Sequence, residues 1–181
     1  MIGNFEEWNH ILLIVEASGS LLSQASREAL GKGRELADAL GSYLWLYWEG
    51  EGPTTGGIAL GADRIFHKAR RNASLADRSA SFGEIIQKHR PEIVIAPQSD
   101  EMVGLLGRLA QRLETGLLTD CVGLEIDTSE RLLVAIKPLY GGKLLSEWVW
   151  PNRRPQIALV RQGVFPEPFE DSAREGTVEE V

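Results

Sequence analysis

Hydrophobic positions along the first two thirds of the chain alternate between short continuous runs and helical spacing. Three apolar runs without a polar face, at residues 10–16, 43–48 and 92–97, are typical of strands buried on both sides of a sheet. A shorter run at residues 65–67 predicts another strand between the second and third of these. We therefore expect the three apolar runs to form central, parallel strands.

Apolar side chains recur at helical spacing between these runs. One helix is predicted around residues 29–40, with Ser26 as its N-cap and Gly41 at its end. Further helices are predicted over residues 79–89 and 103–113. Strands separated by helices imply right-handed crossovers and a parallel sheet with helices on both faces.

The pattern changes near residue 117, where strands joined by short turns replace the alternation of strand and helix. These strands are predicted at residues 118–126, 132–139, 144–150 and 157–160. The predicted fold class is therefore α/β, a three-layer sandwich with a mainly parallel sheet and an antiparallel C-terminal extension. Residues 1–165 are expected to form one α/β domain, followed by an acidic linker or tail at residues 166–181.

Length and composition favour a soluble, single-domain protein in a reducing compartment. The chain has 181 residues, and no apolar run approaches the length of a membrane-spanning helix. Its first ten residues carry no positive cluster, so neither a secretory signal nor membrane insertion is expected. Cys121 is the single cysteine, which excludes an internal disulfide.

The acidic charge is concentrated at the C-terminal end. Six acidic residues and one arginine in residues 166–181 give −5 of the formal net charge of −7. The remainder of the chain is nearly neutral and lacks a broad basic field. No nucleic-acid partner is therefore expected.

Two segments that follow strands are candidate phosphate sites. Residues 50–57 have the spacing Gly-x-Gly-x-x-x-Gly with Pro53 inside, which does not match the dinucleotide fingerprint and favours a flexible loop. Residues 17–20 follow the first strand, where doubly wound sheets often bind ligands. Neither segment carries enough signal to assign a cofactor-binding residue.

Metal and nucleophilic sites have little support. His10, His67 and His89 stand alone in the sequence, without ligand spacing. His89 is expected to be partly charged at a helix C-terminus, and Cys121 to be a small buried side chain. No catalytic residue and no metal ligand is predicted.

Two motifs in the C-terminal third are more informative than these. One is the turn Tyr140-Gly141-Gly142-Lys143, whose glycines either permit positive φ or let a partner's backbone approach. The other is the loop Pro151-Asn152-Arg153-Arg154-Pro155-Gln156, either a solvated loop or a rigid basic corner that recognises a partner's carboxylate or phosphate. The candidate partner interface consists of Tyr140, Gly141, Gly142, Lys143, Asn152, Arg153 and Arg154.

A pair of tryptophans lies between the two motifs. Trp148 and Trp150 share one face of the predicted strand. Core packing is the favoured interpretation, and exposure would instead make them interface anchors.

The order of these motifs resembles the end of the N-terminal domain in electron transfer flavoprotein alpha subunits. That domain typically closes with an aromatic-Gly-Gly-(Asn/Lys) turn, a strand, a Pro-Asn-x-Arg-Pro-Gln loop, a strand and Val-Arg-x-Gly-Val. Residues 61–65, 90–94 and 108–121 resemble further family motifs, so the resemblance covers about residues 10–165. One departure is Met102-Val103-Gly104, where the family usually has Gly-Arg-(Asp/Glu) at a helix start.

The resemblance implies a function in electron transfer. The chain would be an electron-carrier scaffold rather than an enzyme, docking a beta subunit in a heterodimer and supporting a flavin domain expected after residue 181. FAD is implied in the complete heterodimer and not on this chain alone. Electrons would pass from flavin dehydrogenases, such as the acyl-CoA dehydrogenases of fatty acid β-oxidation, to a quinone reductase or another acceptor. The implied location is the cytoplasm, or the mitochondrial matrix in a eukaryote.

Two alternatives stay open at this point. The chain could instead be a stand-alone nucleotide-binding α/β protein of the same broad superfamily, since the related fold of the beta subunit binds AMP. It could also be a fragment without independent activity.

Overall fold

The computed structural model describes residues 5–18, 21–50, 55–69 and 74–181, and shows an α/β fold. The helices are α1 (Gln24–Leu40), α2 (Thr55–Ala59), α3 (Leu75–His89) and α4 (Asp100–Arg112). The strands are β1 (Ile11–Ile14), β2 (Ala17–Ser18), β3 (Leu21–Leu22), β4 (Leu44–Glu49), β5 (Arg64–Lys68), β6 (Ile93–Pro97), β7 (Leu117–Cys121), β8 (Gly123–Asp127), β9 (Leu132–Leu139), β10 (Leu144–Trp148), β11 (Gln156–Val160) and β12 (Thr177–Glu180). Among the helices of the described residues, none combines the length and hydropathy that a membrane span requires.

Seven strands form one parallel sheet in the order β12-β5-β4-β1-β6-β11-β7. Leu13 in β1 pairs with Leu46 on one side and with Ile95 on the other, and all three side chains are fully buried. The prediction that the three apolar runs form central, parallel strands is confirmed. Their lack of a polar face follows from coverage on both sides.

Helices cover both faces of this sheet, which makes the three layers. Successive strand residues point to opposite faces. Leu13 accordingly packs in one cluster with Leu30 of α1, whereas Leu12 packs in a second cluster with Phe82 of α3 and Leu105 of α4. The predicted α/β sandwich is confirmed.

The three predicted helices begin earlier than expected, and α4 starts at Asp100 rather than at residue 103. Ser23, not Ser26, is the N-cap of α1, because its Oγ accepts from the Ser26 backbone N–H at 3.1 Å. Ser26 itself is buried. Helix α3 begins at Leu75, before the predicted residue 79. Ser74 and Asp77 form a capping box at this start.

The antiparallel part of the C-terminal third is a separate sheet in the order β10-β9-β8. The single strand predicted at residues 118–126 is two strands, with Asp120 at a φ of +61° near the break. Strands β7 and β11 do not belong to this antiparallel sheet. They pair with each other in parallel within the main sheet. Only three of the predicted short-turn strands therefore contribute to the extension.

The acidic segment at residues 166–181 lies along the body of the domain. Glu167 pairs with Arg27 at 2.7 Å, Arg174 pairs with Asp63 at 2.7 Å, and β12 adds an edge strand beside β5. Arg27 of the body thus compensates part of the segment's acidic charge, and Arg174 ties the segment to a carboxylate of the body. A domain boundary at residue 165 stays a prediction.

Candidate functional site

The antiparallel sheet ends in the predicted tight hairpin between β9 and β10. Residues 140–142 form a 3₁₀ turn in which Tyr140, Gly141 and Gly142 have φ values of 50°, 68° and 86°. A Cβ added at either glycine would meet nothing within 4 Å, so the conformation and not close packing requires them. The turn holds Tyr140 outward, with 79% of its surface exposed.

Strand β10 exposes apolar side chains on both of its faces. Alternation places Leu144 and Trp148 on one face and Leu145 on the other, and their exposures are 51%, 44% and 62%. Within the described residues, β9 is its one neighbour in the sheet, so the outer backbone edge of β10 is unpaired. An apolar edge strand of this kind is a template for pairing with another chain.

The two tryptophans near this edge are not core residues, so the favoured interpretation of core packing is wrong. Trp148 is 44% exposed and Trp150 is 39% exposed. Trp148 donates from Nε1 to Ser146 Oγ at 2.7 Å, and Lys137 Nζ lies 5.8 Å from its ring centroid. Trp150 lies beyond the end of β10, and its ring covers Gly116, where an added Cβ would come within 2.7 Å of ring carbons.

The two arginines of the basic loop lie in different environments. Asn152 and Arg153 are exposed, and Arg153 donates from Nε to Glu114 O at 3.0 Å. Arg154 is buried, and it donates to Arg153 O and Arg131 O at 3.0 Å each. Arg153 and Lys143 are therefore the cations that these two motifs present to solvent.

An ion pair lies beside the hairpin turn. Arg161 donates from Nε and Nη2 to the two carboxylate oxygens of Asp120, at 2.7 Å each. This bond lowers the pKa of Asp120 below its usual value, although burial opposes it. The pair, Gly141 and Gly142 line a cavity of about 390 Å³ with both charges already compensated. Neither charged group of this cavity is therefore available to pair with a ligand's charge.

The carboxyl edge of the parallel sheet is poorly suited to a phosphate. The strand order changes direction between β1 and β6, which is the usual ligand position in doubly wound sheets. Ser99, the N-cap of α4, donates from Oγ to Glu16 Oε1, and Asp100 and Glu101 occupy the first turn of α4. Glu101 is paired with Arg78, and the two other carboxylates, Glu16 and Asp100, oppose the attraction that the helix N–H groups would exert on an anion.

The two predicted phosphate segments are described only in part. Residues 19–20 of the segment 17–20, and residues 51–54 of the segment 50–57, lie outside the described residues. The last part of the second segment starts the short helix α2 and does not continue as a loop.

The cysteine and two of the histidines lie in surroundings that oppose their charged forms. Cys121 is fully buried, and burial raises its pKa to about 12, so the thiol is protonated and unreactive at neutral pH. Burial also lowers the pKa of His10 and His89. These surroundings disfavour the partly charged ring that was expected for His89 at a helix C-terminus. The described residues hold no group of three potential metal ligands.

The sequence prediction missed the leucines of β10. Leu144 and Leu145 are adjacent in a predicted strand, and adjacent apolar residues in a strand reach both faces of a sheet. In a meander with short turns, no helix is available to cover the second face. Adjacent leucines in a strand that short turns connect therefore indicate an exposed apolar face.

Comparison with known proteins identifies relatives over nearly the whole chain. A family model described as "Electron transfer flavoprotein domain" matches residues 11–181. The electron transfer flavoprotein subunit alpha of Clostridium acetobutylicum is 34% identical over 170 residues, which cover 90% of this chain and 50% of that protein. Protein FixB of Bradyrhizobium diazoefficiens is 33% identical, covering 94% of this chain and 49% of that protein. The chain thus spans about half the length of the curated relatives that it matches.

Proposed function

This chain belongs to the electron transfer flavoprotein family, and we propose that it acts as the N-terminal scaffold domain of an alpha subunit. In this role it carries no catalytic residue. It docks a beta subunit to form a heterodimer and supports a separate flavin domain. The chain's match to about half of each alpha-subunit relative supports a domain role of this kind.

The observation that carries the docking role is the exposed apolar hairpin. Tyr140, Leu144, Leu145 and Trp148 are all more than two fifths exposed and lie on two consecutive elements. Burying large aromatic and aliphatic side chains is the main source of affinity in protein interfaces. Lys143 and Arg153 place positive charge near this patch, so we propose a partner surface with acidic groups at its rim.

FAD is proposed for the complete heterodimer and not for this chain. A pyrophosphate at the carboxyl edge would lie near Glu16 and Asp100, and like charges repel at short distance. The described residues therefore do not fit the cofactor, which supports a flavin site built by other parts of the assembly. The flavin supplies the redox chemistry when it is bound.

Membership of the family supports a proposal for the classes of electron donor and acceptor. We propose that the assembly accepts electrons from flavin dehydrogenases, such as acyl-CoA dehydrogenases, and delivers them to a quinone reductase or another acceptor. The proposed location is the cytoplasm.

Co-purification with the cognate beta subunit tests the docking role. Leu145→Glu and Trp148→Glu each place a charge in the proposed interface, and we expect each to weaken binding at least about tenfold. Phe169→Glu is the matched control, because Phe169 is 99% exposed but lies outside the hairpin. Unchanged binding in both hairpin variants would exclude this surface as the docking site.

The basic loop is tested separately from the apolar patch. Arg153→Ala should weaken beta-subunit binding by a few-fold and reduce its salt dependence, since a rim charge acts mainly on association. Arg154 is left unchanged in this test because its buried guanidinium is part of the fold.

A thermal-shift assay with AMP, ADP and ATP separates the scaffold role from stand-alone nucleotide binding. A ligand of the native state raises the melting temperature. We expect no shift with any of the three. A saturable rise would favour the nucleotide-binding alternative.

A further inference from the structure

We propose that a cavity at the amino edge of the parallel sheet binds a small organic acid through its carboxylate, with Arg154 and Arg131 as the recognising groups. The cavity has a volume of about 420 Å³. It is lined by Phe5, Glu6, Trp8, Asn9, Glu92, Glu130, Arg131 and Arg154. This site lies at the opposite end of the strands from the carboxyl edge, and it is independent of the docking role.

The buried guanidinium of Arg154 is the first argument for a bound anion. Arg154 is only 7% exposed, and its hydrogen bonds to Arg153 O and Arg131 O go to neutral carbonyls. Its Nε has no hydrogen-bond partner among the described residues but is shielded from solvent, so a ligand in the cavity would be bound by the second hydrogens of Nη1 and Nη2. A buried cation costs considerable free energy unless it is paired and hydrogen-bonded.

The nearest buried carboxylate is already engaged. Glu92 is 2% exposed and accepts from Nε of Arg131 at 3.1 Å and from Nη2 of the same guanidinium. The pKa of Arg154 is lowered, mainly by burial. The negative charge of Glu92 raises this pKa, whereas the positive charge of Arg131 lowers it. Among the described residues that line this cavity, Glu92 is the buried carboxylate, and two guanidinium groups interact with it.

Phe5 determines the direction from which a ligand can reach Arg154. The guanidinium carbon of Arg154 lies 4.6 Å from the Phe5 ring centroid, so one face of the guanidinium is covered. The remaining donors lie in the guanidinium plane, where a carboxylate accepts two parallel hydrogen bonds. The covered face thus favours planar, bidentate recognition.

The size and lining of the cavity favour an organic acid over a simple ion. A volume of about 420 Å³ is within the range of small-molecule sites and far larger than one carboxylate group. Phe5 and Trp8 provide aromatic surface for an apolar body beside the guanidinium groups. Glu6 and Glu130 are exposed at the rim, where solvent screens their charge.

Titration of the 181-residue chain with sodium benzoate tests the proposal directly. Nitrogen–proton correlation spectra should show saturable shifts confined to residues near the cavity, including the side-chain Nε–H of Arg154 and the indole N–H of Trp8. Sodium chloride at equal ionic strength serves as the reference. The absence of saturable shifts, or shifts spread over the whole surface, would overturn the proposal.

Matched variants assign the binding to the guanidinium fork. Arg154→Lys keeps the charge but removes bidentate recognition, and should weaken benzoate binding by about ten- to a hundredfold. Arg153→Lys changes the exposed neighbour and should leave the affinity unchanged. A folded Arg154→Lys protein with native affinity would contradict the assignment.

A second comparison keeps the test decisive if Arg154→Lys does not fold. Glu130→Gln removes a negative charge from the exposed rim and should tighten benzoate binding by about twofold to threefold. Glu125→Gln is its control on the exposed side of β8. Equal effects of the two variants would overturn the site, and inorganic phosphate binding tenfold tighter than benzoate would overturn the carboxylate class.

Discussion

The central parallel sheet and the antiparallel hairpin sheet are built from similar apolar residues, but their surroundings differ sharply. Leu46 in β4 is 0% exposed, whereas Leu145 in β10 is 62% exposed. Both residues lie in strands of five or six residues that contain tryptophan and leucine. Residue type therefore does not distinguish the two regions.

The connections between strands explain the difference. In the first region, helices α1, α3 and α4 connect parallel strands and cover both sheet faces. In the second region, tight turns join β8, β9 and β10 and provide no covering segment. Strands joined by short turns have no connecting helix to cover a second face, so apolar side chains of β10 stay exposed to solvent.

The largest expected effect comes from the same substitution made in both regions. Leu46→Ala should lower the free energy of unfolding by about 2–5 kcal/mol, because it leaves a cavity in a packed core. Leu145→Ala should change it by less than about 0.5 kcal/mol, since the side chain is exposed. Urea denaturation of the isolated chain measures both values, and similar losses at the two sites would contradict the contrast.

Asp63→Asn, at the polar end of the central sheet, should lower the free energy of unfolding by about 1–3 kcal/mol. Asp63 accepts from Leu44 N, Arg34 Nη1 and Arg174 Nη2, at 2.7 Å each. Asp63→Asn weakens these charged bonds. The equivalent change at Asp120, whose ion pair is more exposed, should cost less.

The pH dependence of stability checks the role of Asp63. Burial alone would raise its pKa, but the hydrogen bonds from Leu44, Arg34 and Arg174 outweigh burial and lower it. A lowered pKa in the folded state stabilises the fold above the unfolded-state pKa, and this stability is lost as pH falls through the folded value. The gap between wild type and Asp63→Asn should therefore shrink below about pH 4, and a gap that is constant down to pH 2 would refute this.

The smallest effect is expected where the hairpin region contacts the parallel sheet. Gly116→Ala places a Cβ within 2.7 Å of the Trp150 ring and must displace it. We expect a loss of about 1 kcal/mol in unfolding free energy, with a red shift of tryptophan emission as Trp150 becomes more exposed. Gly104→Ala is the control, since its added Cβ would have its nearest contact at 4.0 Å.

Local sequence patterns predicted the central strands well, because their signal is contained within each segment. The run from Ile11 to Ile14 is apolar throughout, and only a strand covered on both faces requires that. The position of β11 was not predictable in this way. Its neighbours β6 and β7 are distant in sequence, and short turns before it favoured an antiparallel pairing.

Strand β12 and the amino-edge cavity could not be predicted from local sequence either, because both depend on contacts between residues far apart in the chain. Thr177–Glu180 is short and acidic, and its pairing with β5 rests on distant partners such as His67, which contacts Glu180 at 2.8 Å. The cavity joins Phe5, Glu92, Arg131 and Arg154, which share no local motif. The basic loop was recognised, but the burial that separates Arg154 from Arg153 depends on residues far along the chain.

The position of β11 between β6 and β7 also constrains the order in which the protein assembles during synthesis. Within the described sheet, β7 pairs with β11 alone, and β11 follows β7 only after the whole antiparallel sheet has been made. A nascent chain that has not yet exposed Gln156–Val160 outside the ribosome therefore leaves β7 without a strand to pair with. We expect the emerging protein to depend most on chaperones during this interval, because the edge of β6 that β11 will occupy is also unpaired.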